Sequence, residues 1–428
     1  MRIRRRGHFF ALFGNDKDSC RAVRSDAENS SERGLMMKLP LIDLVRRHAA
    51  DGPDAERALR AVMESGRYIL GENVAALERE MADYLGVSHA VAVANGTDAL
   101  TIALRALGIG GGDEVITTPY TFFATTEAIL AVGAKPVFVD VRPDTYNLDE
   151  NRVEERVTSR TRAILPVHLF GLPAEMDLLH RVAGRYGLAV VEDACQAIGA
   201  DYEGNRAGAM GDLGCFSFFP TKNLSCAGDG GMIVTNSERL ARICRALATH
   251  GSGENGRLAA AGLGSAPPDG ALPTDKYHHY LAGYNSRLDE LHAALLRVRL
   301  RRLDADTARR RAIAAYYTEA LRGTPLVLPA SPAHLSPAWH LYVLQSGRRE
   351  RILARLTEEG IATGVYYPVP VPLQPACAAL GAKPGDFPVA EALSERCFAI
   401  PLFPELTDSE VEWVADCVRR AALEEEPG

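Results

Sequence analysis

From Pro40 onward the apolar and polar positions of this chain fall into two alternating rhythms. Short, largely apolar runs occur at 90–94, 114–117, 135–140, 162–167 and 188–192. Runs of that length, apolar throughout, are the pattern of strands buried on both faces. Between them the apolar residues take up helical spacing. Val74, Leu77, Met81 and Leu85 mark one helix over Glu72 to Leu85, with Gly86 placed to close it. Pro53 starts another through Ala58, Leu59 and Val62. Met176 to Tyr186 reads as a third. Strands alternating with helices predict an α/β fold with a mostly parallel sheet covered on both faces. Towards the C-terminus, Trp339 to Gln345 and Thr363 to Tyr367 read as strands and Arg348 to Glu359 as a helix. Thr407 with Glu410 three residues on reads as a capping box for a helix from Ser409 to Leu423. Arg287 to Leu321 is basic and helical, and reads as one long connecting helix. The division that follows is a large domain at 37–324 and a small α/β domain at 325–428, the latter joined by residues 38–70.

Two junctions in this pattern carry chemistry. The run Leu188 to Val191 ends in Glu192 and Asp193, and the run Cys215 to Phe219 is followed by Lys222. Open α/β sheets bind ligands just beyond the carboxyl ends of their strands. A lysine and an acid placed there suit pyridoxal phosphate, which a lysine holds as a Schiff base while a carboxylate keeps the ring nitrogen protonated. The same pair also occurs in purely structural charge networks. The second junction is Ala90 to Ala94, then Asn95-Gly96-Thr97-Asp98, then an apolar helix. A glycine turn opening a helix presents free N–H groups to an anion such as a cofactor phosphate. Thr97 or Asp98 serving only as a helix cap fits the same residues. Phe122 or Phe123 is placed to stack on a ring or to pack in the core. His168, past a strand end, either faces the site or makes a structural hydrogen bond. Tyr366 and Tyr367 face either the substrate or the core.

Composition narrows the choice. The chain has 428 residues, 47% hydrophobic and 24% charged, with a net charge of −7. That balance argues against general nucleic-acid binding, and no aromatics interleave with the basic run at 297–311. Eight scattered cysteines form no CxxC pair, so neither a zinc ribbon nor a disulfide framework is expected, and no metal. Their use fits a reducing cytoplasm. No apolar run approaches a membrane helix in length. No strand leads into GxGxxG, so a nicotinamide-binding dehydrogenase is unsupported. Residues 1–36 are basic and then polar. Their apolar stretch at 9–13 is too short for a secretion signal, and they read as a disordered tail. Ser252 to Lys276, rich in Gly, Ala and Pro, reads as an enlarged mobile loop.

Several ordered motifs then carry a resemblance: NGTDAL at 95–100, TFFAT at 121–125, VHLFG at 167–171, VEDACQAIGA at 191–200, FSFFPTKNL at 216–224, GDGGMIVTN at 228–236, GYNSRLDELHAALL at 283–296 and VYYP at 365–368. With them the chain, over about residues 38–428, resembles the DegT/DnrJ/EryC1/StrS group of sugar aminotransferases. The resemblance implies fold type I, the aspartate aminotransferase fold, with pyridoxal 5'-phosphate as cofactor. It implies that Lys222 is the Schiff-base lysine and proton carrier, and that Asp193 pairs with the ring nitrogen. Gln196 is implied to bond the ring oxygen, Gly96, Thr97 and Ser217 to hold the phosphate, and Phe122 to stack on the ring. Asn285 is implied to reach the phosphate of a neighbouring subunit, which makes a homodimer with shared sites. Relatives with histidine at the lysine position are dehydratases, so Lys222 indicates transamination.

The implied reaction is ping-pong, with L-glutamate as donor and a nucleotide-linked keto-sugar as acceptor. GYNSRLDEL resembles members that aminate the 3-keto position, because C4 members more often carry an aromatic at Ser286. A cyclitol ketone or a C4 keto-sugar is the alternative acceptor. A regulator that binds without turnover is the reading from another class, and no DNA- or partner-binding module is visible. Ser225 and Cys226 depart from the usual residues after the lysine. Cys226 reads as packing, with a place near the cofactor as the other possibility.

Overall fold

The computed structural model describes residues 39–264 and 277–424. The expectation for residues 1–36 lies outside them, as does residues 265–276 of the expected loop. Seven strands form the main sheet: β1 (His89–Val93), β2 (Glu114–Thr117), β3 (Lys135–Phe138), β4 (Thr161–Ile164), β5 (Ala189–Asp193), β8 (Leu213–Ser217) and β9 (Gly231–Thr235). Their order is β1-β9-β8-β5-β4-β2-β3. Between β5 and β8 the chain adds a short hairpin of β6 (Asp201–Tyr202) and β7 (Asn205–Arg206), with β10 (Leu335–Ser336) beside it. The pairs β2/β3, β2/β4, β4/β5 and β5/β8 are parallel. β9 runs antiparallel to both of its neighbours, β1 and β8. The expected mostly parallel sheet is therefore present, and β1 and β8 point the same way as β5.

β9 is the strand the hydrophobic pattern leaves unmarked, because it starts in a glycine stretch. Those glycines have a packing reason. A Cβ at Gly231 would lie 2.4 Å from the main-chain carbon of Asn95. The start of β9 thus passes directly beneath the Asn95–Gly96 turn, which only a residue without a side chain permits.

The helices Glu72–Leu85 and Met176–Tyr186 have the expected bounds, and Gly86 caps the first in the left-handed region at φ 71°. The helix Leu44–Ser65 kinks at Gly52, so Pro53 does begin a new helical run. Three expectations are corrected. The basic stretch is two helices, Glu290–Leu300 and Leu303–Ala320, broken at Arg301 and Arg302. Residues 363–367 form no strand; Gly364 alone bridges to Ala399, and the strand there is β12 (Cys397–Ile400), paired with β11 (Tyr342–Gln345). Part of the expected loop is a helix, Gly253–Gly262.

A second apolar cluster lies apart from the main sheet. It gathers Leu39, Tyr317, Tyr342, Ile352, Phe398, Phe403 and Val414, all buried. The helix Asp408–Leu423 enters it through the expected Thr407–Glu410 capping box. The N-terminal segment is tied to this cluster twice. Leu39 bridges to Ile361, and Arg46 grips Glu410 through two bonds of 2.7 Å. The Arg46 bond, helped by the amide and the hydroxyl of Thr407, holds the Glu410 carboxyl down at about 2. Its folded value lies below the unfolded one of about 4.3. The pair therefore stabilises the fold above that pH and loses its effect as pH falls towards 2. Screening at this part-exposed position limits the contribution to about 1 kcal/mol. Glu410→Gln is expected to melt about 1–2 °C lower at pH 7, with the gap closing between about pH 4 and pH 2 in a thermal scan.

Candidate functional site

The carboxyl ends of β1, β5 and β8 open into one cavity of about 1000 Å³. Its wall includes seven of the eight site residues read from the sequence: Gly96, Thr97, Phe122, Asp193, Gln196, Ser217 and Lys222. Sheet topology brings them together. Gly96 and Thr97 follow β1, Asp193 ends β5, Ser217 ends β8, and Lys222 sits on the turn beyond it.

Asn95, rather than Thr97 or Asp98, caps the helix Gly96–Ala106. Its side chain accepts from the N–H of Asp98 at 2.8 Å. The side chain of Thr97 is thereby left available at the cavity wall. Gly96 is pressed against β8: a Cβ there would lie 2.8 Å from Ser217 Cβ and 3.0 Å from Cys195 Sγ. This gives the helix start a recess walled by Ser217, the form an anion site takes.

Asp193 is 5% exposed. One carboxylate oxygen accepts from the Thr125 hydroxyl at 2.8 Å, and the other from the N–H of Cys195 at 3.2 Å. Thr125 is paired in turn with Thr121 at 3.0 Å. Donors thus fix the acid in one orientation at the cavity wall. Lys222 is half-buried, and its amine makes no hydrogen bond among the described residues. Desolvation inside the cavity pushes its ammonium below the ordinary lysine value. The free-base form, which is the nucleophile, is favoured accordingly.

Gln196 is held at both ends. Its carbonyl accepts from Phe170 N–H at 2.8 Å, and its amide donates to the Tyr367 hydroxyl at 3.0 Å. One amide hydrogen stays available to the cavity. Phe122 lines the cavity at 58% exposure, with its ring 6.3 Å from that of Tyr367. Tyr366 and Tyr367 are wall residues, anchored where Tyr120 donates to Tyr366 O at 2.5 Å. Asn285 is outside the cavity wall of its own chain. It is exposed and its backbone pairs with Thr249. Ser286 is buried and accepts from Ala94 N–H at 3.1 Å, bracing the end of β1.

His168 does not face the cavity. Its Nδ1 accepts from Ala174 N–H, so Nε2 carries the proton and donates to Glu192 at 2.8 Å. Glu192 also accepts N–H bonds from Gly208, Met210 and Gly211. That histidine and the first acid of the pair at 192–193 are structural. Cys226 is packing, 2% exposed. Residues the sequence did not mark also line the site, Thr125, Cys195 and His340 among them. His340 is 5% exposed, its Nδ1 has no hydrogen-bond partner among the described residues, and burial pushes it well below its ordinary value, so the ring is neutral. Thr125 lies within a quoted motif, but its contact spans 68 positions and left no local trace. His340 sits in an apolar run that signals only a strand.

The sequence model of the DegT/DnrJ/EryC1/StrS aminotransferase family matches residues 50–419. The chain is 44% identical, over 89% of its length and 97% of the other, to a Geobacillus stearothermophilus protein named pleiotropic regulatory protein. It is 42% identical, over 92% of its length and 98% of the other, to the dTDP-3-amino-3,4,6-trideoxy-alpha-D-glucose transaminase of Streptomyces venezuelae. The crystal structure of S. venezuelae DesV superposes with a TM-score of 0.84 at 42% identity, covering 91% of this chain and 99% of that one.

Proposed function

The chain belongs to the DegT/DnrJ/EryC1/StrS aminotransferase family, and from that premise we propose that it moves an amino group onto a keto-sugar linked to a nucleoside diphosphate. The observation that carries this reading is the meeting of Lys222, Asp193 and the Gly96–Ser217 recess around one cavity. The cofactor is pyridoxal phosphate, and the residues fit it. The recess excludes even a methyl group, the buried acid is held by donors, and the lysine amine has no hydrogen-bond partner among the described residues. When bound, this cofactor supplies an electron sink for breaking and making bonds to the amino-bearing carbon.

The chain's own residues divide the remaining work. The helix-start N–H groups of Gly96 and Thr97, with the hydroxyls of Thr97 and Ser217, would hold the phosphate. The Asp193 carboxylate accepts the ring N–H and keeps that proton in place. Gln196 offers its remaining amide hydrogen to the ring oxygen, and Phe122 covers a ring face. Lys222 binds the cofactor, and when released it carries a proton as free base and then ammonium. Desolvation, which holds this lysine below its ordinary value, eases release of that proton.

L-Glutamate is proposed as donor and a 3-keto-6-deoxyhexose nucleotide as acceptor, supported by the transaminase relative. A homodimer is proposed in which the exposed Asn285 reaches the phosphate of the second copy. The reaction is placed in the cytoplasm. Among the described residues no helix is long and apolar enough to cross a membrane.

The test is an absorption scan of the purified protein before and after L-glutamate. The lysine-bound cofactor band should convert to that of the cofactor's amine form. A cofactor band that glutamate leaves unchanged removes the donor assignment. Failure to take up supplied pyridoxal phosphate removes the site assignment. The relative with a regulatory name makes a further comparison informative. A protein that acts only by binding would keep its function in Lys222→Ala, whereas an aminotransferase loses it.

Gly96 gives a separate check. Gly96→Ala forces its Cβ against Ser217, and overpacking of this kind costs about 1–3 kcal/mol. Affinity for pyridoxal phosphate is expected to fall about tenfold or more, read by equilibrium titration of the cofactor-free protein.

A further inference from the structure

The turn that carries Lys222 is fastened from beneath by two arginines. It leaves β8 after Ser217 and rejoins the sheet at Gly231. Its own backbone bonds are three among the described residues: Phe218 N–H to Gly230 O at 2.7 Å, Lys222 N–H to Phe219 O at 2.8 Å and Cys226 N–H to Phe218 O at 2.7 Å. The carbonyl of Lys222 itself points to Arg47, whose Nη1 donates to it at 2.8 Å. The same nitrogen lies 3.1 Å from Ser225 Oγ and 3.4 Å from Pro220 O. Arg299 completes the fastening. Its Nη1 donates to Ser225 O at 2.6 Å, and its Nε and Nη2 are held by Asp51 at 2.9 and 2.6 Å.

Arg47 differs from Arg299 in one respect. Arg299 has a close carboxylate, whereas the one facing Arg47, Glu405, stands 3.8 Å away. Arg47 is nevertheless 6% exposed. Burying a guanidinium without a close counter-charge is costly, and an apolar side chain could fill the space. One nitrogen of the arginine is instead used here to hold the turn, Nη1 meeting both Lys222 O and Ser225 Oγ. During transamination the lysine amine is alternately bound and free, and each time it must return to the same point. A displacement of about 1 Å at such a point can cost about 100-fold in rate.

We propose that Arg47 is a positioning residue for Lys222: it fixes the lysine's own carbonyl and thereby the root of the side chain that captures the cofactor. This rests on the reading of Lys222 as the cofactor-bearing lysine.

The test uses the full-length protein stripped of cofactor and then mixed with pyridoxal phosphate. Two quantities are read: the rate at which the lysine-bound band appears, and the pH midpoint of that band. Arg47→Met is expected to slow capture about 100-fold and to move the midpoint. Arg47→Lys keeps the charge as a compact ammonium but loses the rigid placing of Nη1 against Lys222 O, and is expected to slow capture about tenfold. A merely structural role would lower the melting temperature of the cofactor-free protein and leave the midpoint of the surviving fraction unchanged, which would overturn the proposal. Should Arg47→Met not fold, Arg47→Lys decides. Slower capture with a moved midpoint upholds the positioning role, and wild-type behaviour ends it. If the wild-type protein itself forms no band, the Lys222 reading fails and takes this inference with it. If the wild type forms the band and both variants match it, only the Arg47 inference fails.

Discussion

Lys222→Ala is expected to lower turnover by roughly 10⁴-fold or more while leaving the fold intact, because the amine is proposed as both the nucleophile that captures the cofactor and the group that carries the proton. The site geometry separates these effects from folding. The Lys222 amine makes no hydrogen bond among the described residues and lies at a cavity wall. Truncating it therefore leaves no buried partner unpaired, which is the usual source of a large stability loss. The melting temperature of the cofactor-free variant should stay within a few degrees of the wild type. The carbonyl bond to Arg47 is made by the main chain and survives the substitution. The proposed phosphate contacts at Gly96 and Ser217 also survive, so the variant should still bind pyridoxal phosphate, without the band of the lysine-bound form. Turnover within tenfold of the wild type would show that another group carries the proton.

Asp193→Asn is expected to lower turnover by roughly 10³-fold, the scale seen when one preorganised electrostatic partner is removed. The amide has the size of the carboxylate but not its charge, so the ring-nitrogen proton loses its counter-ion. Little else should change. The Thr125 hydroxyl can rotate to accept from the new amide, and Thr121 stands 3.0 Å from it as a further partner. The Cys195 N–H keeps an oxygen acceptor if the amide takes the matching orientation. The variant should fold, take up the cofactor and form the lysine-bound band. The loss should be concentrated in the rate of the spectral change on adding the amino donor. Equal loss in cofactor binding and in that rate would mean that Asp193 serves the cavity's shape and not the ring nitrogen.

Much of the sheet was legible because strands buried on both faces announce themselves by composition. The runs at β1, β2 and β5 needed no tertiary information. β9 did not announce itself, since its first residue is glycine for the sake of Asn95, a residue 136 positions away. The cap at Asn95 was missed for a local reason: Thr97 and Asp98 are capping residues by type, and only backbone geometry shows which side chain meets the Asp98 N–H. The break at Arg301 and Arg302 was hidden because basic residues suit a helix and a helix end alike.

The sequence by itself determined the chemistry. A lysine and an acid past strand ends, a glycine turn before a helix, and ordered motifs along the chain are local features, and local features survive without folding. Apart from the resemblance, which named Asp193, only the tertiary structure separates the two acids of the pair at 192–193. Asp193 meets Thr125 and the cavity, while Glu192 is enclosed by His168 and three backbone amides. Adjacent strand residues point to opposite faces of the sheet, and a sequence does not say which face holds the ligand. The same holds for Arg47, whose partner carbonyl lies 175 positions away. A hydrogen bond to a main-chain carbonyl asks nothing of the identity of the residue that bears it, so it leaves no mark in the sequence.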